Sequence, residues 1–103
     1  MSTELEQLSD RTALRVRGPV RLGEVTELLE LACAASKRGL PVEVDLGEAE
    51  HLHTAAWQVL AALERELEQH GQRLHVSRAS DASRAMLELL EKNAWLRSRE
   101  DEA

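Results

Sequence analysis

The sequence predicts one α/β domain with a mainly parallel sheet and helices packed on a single face. Short segments of alternating apolar and polar residues recur along the 103-residue chain. Between them lie segments whose apolar residues return every three or four positions. Strands interleaved with helices imply right-handed crossovers between parallel strands. The alternation itself puts the helices on one side, because strands covered on both faces tend to be apolar throughout.

Residues 1–11 are polar and are expected to be irregular or at most a weak edge strand. From Thr12 to Arg17 the chain alternates, with Leu14 and Val16 on one face and Arg15 and Arg17 on the other, which marks a strand. Gly18-Pro19 is expected to end it. Leu22, Val25, Leu28, Leu29, Ala32 and Ala35 then recur at helical spacing. That helix should stop near Gly39, with Lys37 and Arg38 complementing its negative end. Pro41 prevents its continuation.

Val42, Val44 and Leu46 form one face of a second strand, opposite Glu43 and Asp45. A short polar loop from Gly47 to His53 is expected next, and a second helix begins at Thr54, its N-cap or first residue. Ala56, Val59, Leu60, Leu63 and Leu67 make a single apolar stripe on that helix, and Gly71 is its stop signal. Leu74 and Val76 belong to a third strand, with His75 facing the other way. Ser80 is the expected N-cap of the last helix. Its stripe is Ala82, Ala85, Met86, Leu89 and Leu90, and Asn93 ends it. Trp95 and Leu96 fold back onto the core, and residues 97–103 form a charged, frayed tail. One domain thus occupies residues 1–103, with its core over about 12–96. The uncovered sheet face should carry Arg15, Arg17, Glu43, Asp45 and His75. Opposite charges on neighbouring strands can pair there, each pair worth about 0.2–1 kcal/mol.

Composition excludes several functions. The 43% apolar and 31% charged content is that of an ordinary soluble protein. No apolar run is long enough to span a bilayer and no signal peptide is present, so direct membrane insertion is not expected and a cytoplasmic location is. A net charge of −6 argues against a nucleic-acid partner. Phe and Tyr are absent and Trp occurs twice, which leaves no aromatic platform for bases. The lone Cys33 lies in a helical pattern and is expected to act as a small hydrophobe. His51 and His53 form a His-x-His pair, but no second motif has the spacing of a metal site, and no metal or other cofactor is expected. No Gly-rich phosphate loop or Ser/His/Asp constellation is present, so no catalytic residue is assigned and the chain is expected not to be an enzyme.

The densest signal runs from Val42 to Leu60. It places a hydroxyl, that of Thr54, at a helix N-terminus just past the carboxyl end of a strand. Backbone N–H groups and the helix dipole favour a phosphate there. Asp45-Leu46-Gly47 followed by Leu52-His53-Thr54-Ala55-Ala56 resembles the signature of STAS domains, the fold of sulfate transporters and anti-sigma-factor antagonists. In that family a strand ending Asp-Leu-Ser is followed by a loop and then by Leu-Asp-Ser-Xaa-Gly, whose serine is phosphorylated. Here His53 stands for the aspartate, Thr54 for the serine and Ala56 for the glycine.

The resemblance covers roughly residues 12–96. It implies a mixed sheet of four to five strands, a regulatory protein–protein interaction and a switch hydroxyl at Thr54. It implies a partner surface built from Asp45, Gly47, Glu48, His51, His53, Ala55, Trp57 and Gln58. The implied partner is an anti-sigma kinase of the histidine-kinase-like ATPase superfamily, released on phosphorylation. Related STAS proteins suggest other roles: an adaptor in a chemotaxis or two-component complex, the small subunit of a lipid-transport ABC system, or a nucleotide-binding sensor. Trp57 is expected either at the margin of the core or as an interface anchor, and a homodimer is a further possibility for it.

Overall fold

Alternation becomes strand, and three-and-four spacing becomes helix, over most of the computed structural model, which describes residues 2–100. The strands are β1 (Ser2–Gln7), β2 (Thr12–Val20), β3 (Val42–Leu52) and β4 (Leu74–Ala79). The helices are α1 (Val25–Lys37), entered through a short 3-10 turn at Leu22–Glu24, then α2 (Thr54–Gln69), α3 (Asp81–Leu89) and α4 (Asn93–Arg99). The sheet order is β1-β2-β3-β4. β1 runs antiparallel to β2, and the β2–β3 and β3–β4 pairs are parallel. The sheet is therefore mixed, four-stranded and mostly parallel, as expected.

The inward faces of the strands, among them Leu14, Val16, Val42, Val44, Leu46, Leu74 and Val76, join Leu28, Leu60, Leu67, Leu87 and Leu96 in one core. The apolar stripe of α2 is buried as its spacing predicts. Burying each such leucine contributes about 1.5–3 kcal/mol. The opposite sheet face is a ladder of charge. Arg15 pairs with Glu6 at 2.6 Å, Arg17 with Glu4 at 3.1 Å and Glu48 at 3.4 Å, and Arg78 with Asp45 at 2.8 Å. Glu43 is taken by Arg11 at 2.9 Å.

Arg38 closes the end of α1. Its guanidinium donates to the Thr12 hydroxyl at 2.8 Å, to the Leu8 carbonyl at 2.9 Å and to the Arg11 carbonyl at 3.1 Å. Thr12 is fully buried, and this hydrogen bond satisfies its hydroxyl.

Of the two expectations for the start of the chain, the edge strand holds: residues 2–7 are β1, paired along its whole length antiparallel to β2. Several elements differ from the sequence-based expectation. β2 does not end at Gly18-Pro19. It shifts register there, with Gly18 at φ 71°, and continues to Val20. The polar loop from Gly47 to His53 is strand as far as Leu52, and only His53 links β3 to α2. Leu22 and Leu29, counted in the stripe of α1, point outward, while Leu28, Ala32 and Ala35 are buried.

The stripe of α3 is also rotated. Ser83 and Leu87 are buried, whereas Leu89 is 79% exposed. α3 ends before Asn93. Glu91 adopts φ 60°, and Lys92 N–H donates to the Leu87 carbonyl at 2.7 Å, a left-handed C-terminal closure. Asn93 instead starts α4, so residues 97–99 are helical and Glu100 bridges to Val76 and pairs with Arg84, and the remainder of the expected tail, 101–103, lies outside the described residues.

Candidate functional site

The site is built where β3 passes into α2. β3 stays paired with β2 to its end, Val20 opposite Leu52, and His53 N–H donates to the Val20 carbonyl at 2.9 Å. This fixes the direction in which the chain leaves the sheet. The backbone of His53 is extended, and α2 starts at the next residue.

His53 is the N-cap of α2. Its Nδ1 accepts from the Ala55 backbone N–H at 3.0 Å, and its carbonyl accepts from the Ala56 N–H at 2.8 Å. An imidazole accepting at Nδ1 is neutral, with its proton on Nε2. Thr54 occupies the first helical position. It is exposed, and its hydroxyl has no hydrogen-bond partner among the described residues. Thr54 is therefore free of the capping role its residue type suggests.

Ala55 is half-buried and Gln58 exposed on the first turn, and His51 is exposed at the end of β3. These residues, with His53 and Thr54, form one contiguous surface at the start of α2. Asp45, Gly47 and Glu48 lie further back along β3, where Asp45 and Glu48 pair with Arg78 and Arg17 on the charged sheet face. A strand rises about 3.3 Å per residue, which puts Asp45 roughly 23 Å and Glu48 roughly 13 Å from Leu52 along β3.

Asp45 accepts from Arg78 at 3.1 and 2.8 Å and from the Gly47 N–H at 2.9 Å. Partial burial alone would raise its carboxyl. The hydrogen bonds from Arg78 and Gly47, with the positive charges of Arg78 and Arg15, outweigh this and hold it below its ordinary value. The Arg78 guanidinium is raised in turn, first by its hydrogen bond to Asp45. Gly47 lies under Arg78. A Cβ there would stand 2.8 Å from Arg78 Nε and 2.9 Å from Cζ.

Trp57, one turn beyond Thr54, stands at the core margin and faces α4. Its ring meets Trp95 edge to face with centroids 6.1 Å apart, and Lys92 Nζ lies 5.0 Å from its centroid. Its Nε1 is buried without a partner. Trp95 Nε1 donates to Glu64 at 3.0 Å, and Glu64 also receives Arg99. Sequence reasoning folds Trp95 onto the core but missed its pairing with Trp57, because the helical register of α4 against α2 cannot be inferred from spacing. No group of three or more His, Cys, Asp or Glu among the described residues is placed to hold a metal. No described helix is long and apolar enough to cross a membrane.

Comparison with known proteins places this geometry. The fold matches the anti-sigma factor antagonist SpoIIAA in its unphosphorylated form, with a TM-score of 0.79 at 14% identity over 91% of this chain and 84% of that one. An anti-sigma factor antagonist from Mycobacterium paratuberculosis matches with a TM-score of 0.78 at 20% identity, over 91% and 80% of the two chains. The Bacillus cell fate determinant SpoIIAA in its phosphorylated form matches with a TM-score of 0.77 at 15% identity, over 99% and 91%. In sequence, a 64-residue stretch covering 61% of this chain is 42% identical to part of a UDP-N-acetylmuramoylalanine--D-glutamate ligase from Leifsonia xyli subsp. xyli (strain CTCB07). The chain spans 12% of that enzyme's length. The family model described as "Mlab, STAS domain" matches residues 3–97, and the chain belongs to the STAS domain family.

Proposed function

We propose that the protein is a non-enzymatic regulatory module that binds another protein through the surface at the start of α2, with Thr54 as its switch hydroxyl. The observation that carries this reading is the division of labour between His53 and Thr54. His53 caps the helix, so the Thr54 hydroxyl is exposed and uncommitted at the positive end of a 16-residue helix. A phosphate there adds nearly two negative charges, which the helix terminus accommodates without refolding the domain. The effect falls on a partner surface made of His51, His53, Ala55 and Gln58. The partner is a kinase or anti-sigma factor of the histidine-kinase-like ATPase superfamily, released when Thr54 is modified.

A second reading follows from His53 itself. Without a carboxylate beside the hydroxyl, the same surface can brace an ATPase subunit of a transport system constitutively, with no switch.

The test is intact-mass analysis of protein from its native cells, with and without phosphatase, followed by peptide mapping and partner capture. A phosphatase-sensitive phosphate on Thr54, with capture lost in Thr54→Glu and kept in Thr54→Ala, supports the switch. Capture with no phosphate under any growth condition selects the constitutive role.

A further inference from the structure

We propose that the protein pairs with a second copy of itself through the outer face of α1 and the groove between α1 and α2. α1 carries two apolar stripes. Val25, Leu28, Ala32 and Ala35 face the core. Leu29, Cys33 and Ser36 follow one another at steps of four and three on the other side, the spacing of a helix-pairing seam. Leu29 is 46% exposed, and Cys33 is exposed beside it. Leu22, seven residues before Leu29 in the entry turn, is 64% exposed. Two of the three exposed large hydrophobics among the described residues thus belong to α1 and its entry turn.

A receptor for that ridge lies next to it. A groove of about 270 Å3 runs between α1 and α2, with Leu29 and Cys33 on one wall and Val59 and Ala62 on the other. Exposed Lys37 and Glu66 supply one charge of each sign to its lining. The small residues Cys33, Ser36 and Ala62 let another helix approach closely.

The charges fit a second copy. A two-fold axis at Cys33 sets two α1 helices antiparallel, so residues whose numbers add to twice that of Cys33 lie opposite. Lys37 of one copy then lies across from Leu29 of its mate and beside the mate's Glu30. The pairing repeats on the other side of the axis, as a self-complementary interface requires. Neither Glu30 nor Lys37 has an ion-pair partner within the chain among the described residues.

Helices of this length, about 20 Å, bury an area at the low end for specific interfaces, so the dimer is concentration dependent. On α2, at about 100° per residue, Ala62 and Trp57 fall on opposite sides of the line through Thr54. The dimer face is therefore distinct from the cluster under α4 and does not depend on the function proposed for Thr54.

Sedimentation velocity of the full chain over a concentration series tests the proposal, with crosslinking of Cys33 by a short bis-maleimide. The expected result is a mass rising from one copy to two and a crosslinked pair that disappears in Cys33→Ser. Leu29→Arg should shift the association at least tenfold toward monomer. Glu30→Lys and Lys37→Glu should each weaken it, and the double exchange should restore it. All these positions are exposed, so a melting curve that matches wild type at a concentration where both are monomeric certifies the fold of each variant. A monomer at every concentration overturns the proposal. A dimer indifferent to Leu29→Arg and to the charge exchange overturns it too.

Discussion

His53 Nδ1 and the Ala55 amide stand 3.0 Å apart in a hydrogen bond that only a neutral imidazole can accept. The cap of α2 is therefore made by a ring nitrogen, where a carboxylate or hydroxyl oxygen usually serves. His53→Ala removes the acceptor and should cost about 1 kcal/mol, whereas His53→Asp supplies another acceptor and should keep the helix start intact. Thermal denaturation of the three proteins at neutral pH measures this. A melting temperature unchanged in His53→Ala would mean that the imidazole does not hold the helix start.

Asp45 predicts a pH dependence. Its folded carboxyl lies below the ordinary 3.8. The sign follows from linkage: the contribution is fully present above the unfolded value and is lost as pH falls through the lowered folded value, below about pH 4. Asp45→Asn should flatten that part of the acid denaturation curve. Gly47→Ala should reach the same carboxyl from beneath by displacing Arg78. Replacing glycine gains about 0.4–1 kcal/mol through the unfolded chain, and loosening an exposed ion pair costs about as much, so net stability should hardly change. The Asp45 carboxyl resonance should nonetheless titrate at higher pH in Gly47→Ala than in wild type. An unmoved titration would mean that Arg78 keeps its grip.

The rotated face of α3 gives a comparison of two leucines two residues apart. Leu87 is fully buried, and Leu87→Ala should cost about 2–5 kcal/mol. Leu89 is open to solvent, and Leu89→Ala should stay within about 0.5 kcal/mol of wild type. Urea denaturation of both decides between the observed phase of this helix and the phase its apolar spacing suggests.

The sheet and the helices α1 and α2 were legible wherever the period stayed regular. Val42, Val44 and Leu46 alternate, and Ala56 to Leu67 keep one stripe. Legibility failed where the backbone departs from its ideal repeat. After Leu46 the inward residues are Ala49 and Leu52, at steps of three, because register shifts interrupt the two-residue period. The polar residues between them then resemble a loop. Gly18, at positive φ, has the same effect on β2. In α3 the buried Ser83 carries no apolar signal. The left-handed residue after the helix is Glu91, not the glycine or asparagine that would announce it. At the candidate site the position of Thr54 at the start of α2 was legible, but its freedom was not. That freedom rests on which side chain faces the Ala55 amide, and histidine is not among the residues expected to cap.

Arg38 has a consequence for how the molecule opens. One guanidinium holds the carbonyls of Leu8 and Arg11 and the hydroxyl of Thr12, and it is carried by the residue that closes α1. The turn between the first two strands therefore cannot loosen without stripping donors from the end of the helix. That helix end cannot fray without leaving Thr12 buried and unsatisfied. Two segments some thirty residues apart thus behave as a single cooperative unit, a foldon, whose amides should exchange with solvent together rather than one after the other.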